Sequence, residues 1–231
     1  MEKLIYDPPP LHTVLWLPGL PGVGNKIHDR SPYGNHGTIT GAIWKFNGRI
    51  WYLDFDGTDD FVNLGIPASL DFLVTSSFSF GGWFKFVTAG QTNWLITRGD
   101  NSGVGQNKFV LLIISIANKL SMQFRDATGT DTITGSTSLS ANTWYHLVGV
   151  RNKGTDWQIF LNGVSDATAV ADARGAITFT ATRNLMLAAM VDVNQTAPSV
   201  FSAISNVLTF ANTDVLTATQ LLSRFNQERA L

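Results

Sequence analysis

Along most of the chain, apolar and polar residues alternate with a period of two, the pattern of strands that bury one face. From Ser77 to Phe86, the side chains of Phe78, Phe80, Phe84 and Phe86 share a face with Gly82, while Ser77, Ser79, Gly81, Trp83 and Lys85 share the other. Lys119 to Arg125 repeats this, with Leu120, Met122 and Phe124 inward. Trp157, Ile159 and Leu161 form a third inward row. Asn162-Gly163 follows it, a two-residue hairpin signal because both positions accept positive φ. Asn47-Gly48 and Asp56-Gly57 mark further turns, and the apolar run Phe109 to Ile116 reads as a buried strand. Strand-like runs recur about every 8–12 residues, the spacing of a sandwich or barrel.

Only the C-terminus breaks the pattern. Thr217-Ala218-Thr219-Gln220 is a capping box, with Thr217 as N-cap and Gln220 reaching back. Leu216 and Leu221 stand at staple positions, and Leu221, Leu222 and Phe225 form an apolar stripe, so a helix is predicted from Ala218 to Arg229. At the other end Pro8-Pro9-Pro10 predicts an extended polyproline-II lead-in. Residues 1–10 therefore read as an N-terminal arm carrying Leu4, Ile5 and Tyr6, and residues 11–231 as one domain. Gly99 to Asn107 reads as a long loop inside that domain.

Composition restricts the chemistry. Charged residues are 14% of the 231, against about 25% in ordinary soluble domains, and the formal net charge is -1. Thr, Ser, Asn and Gly must then supply the surface, which suits an extracellular or particle-bound protein, or an ordinary β-protein with a Thr-rich exterior. No basic patch for nucleic acid is expected. Without cysteine there is no disulfide framework and no thiolate site. Of 17 acidic residues only Glu2 and Glu228 are Glu, so the paired Glu of many glycosidases is missing, although an Asp pair remains possible. His12, His28, His36 and His146 are scattered, and His146 reads as a packed strand residue beside Trp144. There is no signal-peptide h-region, and no stretch of about 18 apolar residues that would cross a membrane.

Five segments in order resemble the laminin-G-like domains of the concanavalin A-like lectin/glucanase superfamily. They are Asp29 to Thr38 (DRSPYGNHGT), Leu53 to Val62 (LDFDGTDDFV), Phe78 to Lys85 (FSFGGWFK), Thr143 to Val148 (TWYHLV) and Ile159 to Gly163 (IFLNG). The resemblance covers about residues 11–230 and implies an all-β jelly-roll sandwich of two antiparallel sheets with a short C-terminal helix. It also implies carbohydrate or protein binding, often with a structural calcium ion. Asp29, Asn35 and Asp56 fall on the matching motifs and are the candidate calcium ligands. The bland alternative is that Asp29 and Asn35 cap turns and Asp56 belongs to its Asp-Gly turn. The strands Trp16 to Leu20 and Ile204 to Val207 lack the acids usual in the family.

Sugars stack on exposed aromatic faces. Trp44, Trp83, Trp144 and Trp157 lie on motif strands and are expected in the core. Tyr33, Trp51, Tyr52 and Trp94 are the candidate ligand-binding residues, Trp51 and Tyr52 pointing to opposite faces of one strand. Three functions fit: a non-catalytic binding or adhesion module, a coat or decoration protein of a virus-like particle, and a glycan-cleaving enzyme, the last weakened by the missing Glu pair. A single domain starting at Met1 without an export signal favours a virion-associated structural or attachment protein. Its partners would be glycans or neighbouring subunits, at the virion surface or outside the cell. A carbohydrate-binding module of a secreted protein is the alternative.

Overall fold

The structure, a computed structural model, describes residues 11–19, 21, 24–66, 68–70, 76–99, 109–125, 129–174, 184–191 and 198–228. Among these, two large antiparallel sheets face each other. The first runs β14 (Val164–Ser165), β13 (Asp156–Leu161), β12 (Tyr145–Asn152), β7 (Phe78–Phe86), β19 (Ile204–Asn212), β5 (Trp51–Asp54) and β4 (Ile43–Phe46). To it are added β1 (Thr13–Leu17) on β19 and β15 (Val170–Ala171) on β13. The second runs β11 (Thr130–Thr134), β10 (Leu120–Arg125), β9 (Phe109–Ile114), β8 (Asn93–Gly99), β16 (Leu185–Leu187), β6 (Phe61–Asn63), β3 (Gly37–Thr40) and β2 (Lys26–Ile27). A two-stranded ribbon, β17 (Ala189–Val191) with β18 (Pro198–Phe201), packs Met190 and Val200 on Ile113 and Trp94. This is the expected all-β sandwich.

The predicted alternation sets the core. Phe78, Phe80, Phe84 and Phe86 meet Leu120, Met122, Phe124, Trp157 and Ile159 in one cluster between the sheets, with Leu161 packed against it. Gly81 and Gly82 lie mid-strand because neighbouring backbone approaches there: a Cβ on Gly82 would sit 1.9 Å from the Leu208 carbonyl oxygen. Asn162 and Gly163 take the positive φ values, 52° and 80°, that their turn requires.

The other face of the first sheet carries a second cluster: Trp16, Trp83, Val148, Val150, Val207, Leu208 and Phe210. Helix α1 (Ala218–Glu228) packs Leu221 and Phe225 against it. The capping box forms as predicted: the Gln220 amide N–H donates to Thr217 Oγ1, and the Thr217 amide N–H to Gln220 Oε1.

Some expectations change. Leu222 is exposed, and the buried face of α1 is Leu221, Arg224 and Glu228 with Phe225 half-buried, because residues three, four and seven apart share a helix face. Ile116 lies 69% exposed beyond the end of β9, in the turn from Ser115 to Lys119. Trp83 and Trp157 are buried as expected, but Trp44 and Trp144 are only half-buried. The N-terminal arm, including Leu4, Ile5, Tyr6 and Pro8 to Pro10, lies outside the described residues, as do the loop after Gly99 and Arg229.

Candidate functional site

The helix leaves part of the first sheet's outer face open, and there the sequence places an aromatic and polar group. Lys85 is on β7, and antiparallel register sets Ser205 of β19 beside it and Asp54 of β5 beyond. Trp144 immediately precedes β12, whose Tyr145 pairs with Phe84, so its ring reaches Lys85 from the opposite side. Tyr52, two residues before Asp54, points to the same face. The Tyr52 and Trp144 rings meet edge to face with centroids 5.8 Å apart. The Lys85 Nζ stands 5.3 Å from the Tyr52 centroid and 5.4 Å from that of Trp144. All three side chains are half-buried.

A polar edge completes the face. Ser205 Oγ donates to Asp54 Oδ1 at 2.6 Å, and Lys45 Nζ donates to Asp54 Oδ2. Asp54 holds the Lys45 ammonium above its ordinary pKa through that hydrogen bond and its charge. The result is apolar ring surface beside fixed donors and acceptors, the arrangement that binds sugar rings.

Of the four aromatic candidates, the structure brings Tyr52 alone into this group. Trp51 points to the opposite face, as expected of its neighbour, and packs with exposed Phe46 of β4 at a centroid distance of 5.2 Å. Tyr33 stands 56% exposed in its loop. Trp94 is half-buried against Ile113, Met190 and Val200. Sequence reading placed Trp144 in the core and missed Lys85 and Phe46. The Trp51–Tyr52 alternation was the usable signal.

The three calcium candidates separate. Asp29 is buried, and both its oxygens are filled. Oδ1 accepts from the Trp16 and Ser31 amides, and Oδ2 from Ser31 Oγ and the Asn35 amide, at 2.6 to 2.9 Å. Asn35 donates to the Val14 carbonyl and accepts from Ser69 Oγ. These residues staple β1 to the loop before β3, and their donor set does not fit a cation. Asp56 instead lies with Asp59 and Asp60, carboxylate oxygens within 4.8 Å of one another. The Asp56 amide donates to Asp60 Oδ2, and burial pushes the Asp60 carboxyl above its ordinary pKa. Each offers one oxygen to a common point, so the six to eight ligands that calcium takes would have to include loop carbonyls or water.

His146 is packed as expected, but against Trp83, with ring centroids 5.4 Å apart, rather than beside Trp144. Glu228 is buried beneath α1, where Trp83 Nε1 donates to it at 2.9 Å and Arg224 Nε stands 3.4 Å away. Burial drives the His146 pKa down to about 3 and that of Glu228 up to about 7. This Glu is thus enclosed between the helix and the sheet. Among the described residues no helix is long and apolar enough to cross a membrane.

Solved structures share this architecture at low identity. The binding domain of Paraclostridial Mosquitocidal Protein 1 superposes with a TM-score of 0.70 at 15% identity, over 93% of this chain and 52% of that one. The botulinum neurotoxin serotype D ligand binding domain, in complex with N-acetylneuraminic acid, gives 0.68 at 12%, over 94% and 51%. Trypanosoma rangeli sialidase in complex with sialic acid gives 0.65 at 13%, over 94% and 33%. The chain thus spans about half of the first two and a third of the last, and what they have in common with it is the fold. No curated protein matches the chain. The family model of the concanavalin A-like lectin/glucanases superfamily, in its laminin-G form, matches residues 56–210, and the chain belongs to that family.

Proposed function

We propose that the protein is a non-catalytic glycan-binding domain whose site is the open face formed by Tyr52, Trp144, Lys85, Asp54 and Ser205. The observation that carries this is the Tyr52–Trp144 pair held at the surface beside a carboxylate and two ammonium groups. Aromatic rings present apolar area to the C–H face of a sugar, and the polar edge fixes its hydroxyls. Binding rather than hydrolysis is supported by Glu228, whose carboxylate is committed to Trp83 beneath the helix. The fold relative described as a ligand binding domain in complex with N-acetylneuraminic acid lends general support.

The setting we propose is an exposed one, at the surface of a virus particle or outside a cell. A charged fraction of 14% keeps desolvation small when such a domain packs against neighbouring subunits. Calcium is kept as a proposal only at the Asp56–Asp59–Asp60 turn.

Glycan-array binding by the full chain tests the site. Trp144→Ala is expected to lose at least about tenfold in affinity, since stacking on an aromatic ring is worth about 1–2 kcal/mol. Full binding by Trp144→Ala and Tyr52→Ala together, with the fold intact by circular dichroism, would defeat the assignment. Immunogold labelling of purified particles checks the setting.

A further inference from the structure

Lys85 is an unusual residue for the centre of a sheet face, and its surroundings specify more than a generic sugar site. Its ammonium stands over the rings of two aromatic side chains that touch each other, and the side chain is half-buried, so the ammonium is partly desolvated. The ring quadrupoles of Tyr52 and Trp144 offset part of that cost. They do not accept its N–H groups as an oxygen would, and an ammonium has three donors to place. Among the described residues Lys85 has no ion pair and no hydrogen bond to another side chain. The carboxylate that might have neutralised it is engaged elsewhere: Asp54 takes Lys45 on one oxygen and Ser205 on the other. Lys45 and Asp54 cancel, which leaves Lys85 as the uncompensated charge of the face.

We infer that the ligand of this face is an acidic saccharide, with its carboxylate on the Lys85 ammonium and the C–H side of its ring against Trp144 and Tyr52. This rests on the glycan-binding reading above and narrows it. A hydrogen bond between two charged groups is roughly twice as strong as a neutral one. Partial burial between the rings strengthens it further, because the local dielectric is lower than that of water. A carboxylate fits better than a phosphate monoester: the single free ammonium matches one negative charge, and a phosphate monoester carries close to two. A sulfate ester is also singly charged, and the sulfated arm of the test below separates it from a carboxylate. The Asp54 carboxylate and the Ser205 hydroxyl lie on the side away from Trp144, where they would meet the neutral hydroxyls of the same sugar rather than its acid.

The test is a glycan array probed with the full chain, using matched sets that share one neutral parent: the parent, its sialylated form, its glucuronylated form and its sulfated form. Titration calorimetry with sialyllactose and lactose follows at low salt. The carboxylated forms are expected to bind about tenfold tighter than their neutral parents. That ratio should fall in 0.5 M salt, though less than it would for a fully exposed pair, because the Lys85 ammonium is half-buried. Lys85→Gln is expected to bring the ratio to about one, and Lys85→Arg to keep most of it. Unchanged melting temperatures of both variants would establish that they are folded. Equal binding of acidic and neutral forms, or an acid preference that survives in Lys85→Gln, overturns the inference while leaving glycan binding in place. A preference for the sulfated forms overturns the carboxylate assignment. An array on which neither neutral nor acidic sugars bind overturns the glycan reading itself, and this inference falls with it.

Discussion

Asp29 illustrates how a motif residue can have a structural occupation. Its two oxygens take four donors, three of them backbone amides from Trp16, Ser31 and Asn35. Replacing it with Ala would leave those buried donors without acceptors, at about 1–3 kcal/mol each before water enters. Asp29→Ala is therefore expected to lose about 3 kcal/mol of stability in chemical denaturation. The loss should be the same in calcium and in EDTA, because the carboxylate has no lone pair left to offer a cation. A loss that appears only in calcium would restore Asp29 as a metal ligand. The motif position of Asp29 was legible in the sequence, but its partners were not: they come from a strand 13 residues earlier and a loop residue 6 later. Lys85 was hidden for the same reason. Its outward direction followed from alternation, but the ring cradle depends on Tyr52 and Trp144, which only the sheet register brings together.

At the scale of the element, the C-terminal helix shows where pattern reading works and where it stops. The capping box fixed its first residue correctly, since that signal is local. The inward face was misread because Arg224 and Glu228 are charged, and charge argues for solvent unless a partner is visible. Here the partners are Trp83, which donates to Glu228, and the rings of Trp16 and Phe210, over which the Arg224 guanidinium lies at 4.9 and 3.9 Å. His146 Nε2 stands 3.5 Å from the same Glu228 oxygen. Burial raises Glu228 from 4.5 to about 7, with Arg224 and Trp83 opposing, and lowers His146 from 6.5 to about 3, with Arg224 adding to it. A carboxyl raised on folding stabilises below 4.5, and that contribution is lost as the pH rises through about 7. A histidine depressed on folding stabilises above 6.5, and that contribution is lost as the pH falls toward about 3. The two slopes oppose each other between 4.5 and 6.5, so the helix contact is expected to be least pH-sensitive there and to weaken on either side. Glu228→Gln, which carries no charge, should remove the alkaline loss and melt on the order of 3 °C above the parent at pH 8, equivalent to about 1 kcal/mol in a chain of this size. A lower melting temperature for Glu228→Gln at pH 8 would mean that the ion pair with Arg224 outweighs the cost of burying the acid.

The first sheet joins an early strand to a late one, and the order of the strands explains why the fold reaches beyond its motifs. The family match spans residues 56–210, yet β1, near the start of the described chain, pairs with β19, setting Trp16 opposite Phe210. The strands β4 and β5 complete one sheet and β2 and β3 the other, all before residue 56. The alternating runs all lie after residue 76, and pairing across some 190 residues leaves no trace in a local pattern, so the topology had to come from the structure and the family resemblance. The dependence can be tested on a fragment of residues 56–210. It would lack Leu15, Leu17, Ile27, Ile39, Leu53 and Phe55, all buried in the main core. Each such side chain contributes about 1.5–3 kcal/mol on burial, so their removal costs on the order of 10 kcal/mol. A domain of this kind has about 5–15 kcal/mol in total. The fragment would also expose the edge of β19 that β1 and β5 cover, an unpaired row of backbone donors and acceptors. It is expected to aggregate or to lack a cooperative melt and near-ultraviolet dichroism, whereas residues 11–231 should retain both. A fragment of 56–210 that stayed monomeric and melted cooperatively near the temperature of the full chain would show that the outer strands are additions to a core that stands without them.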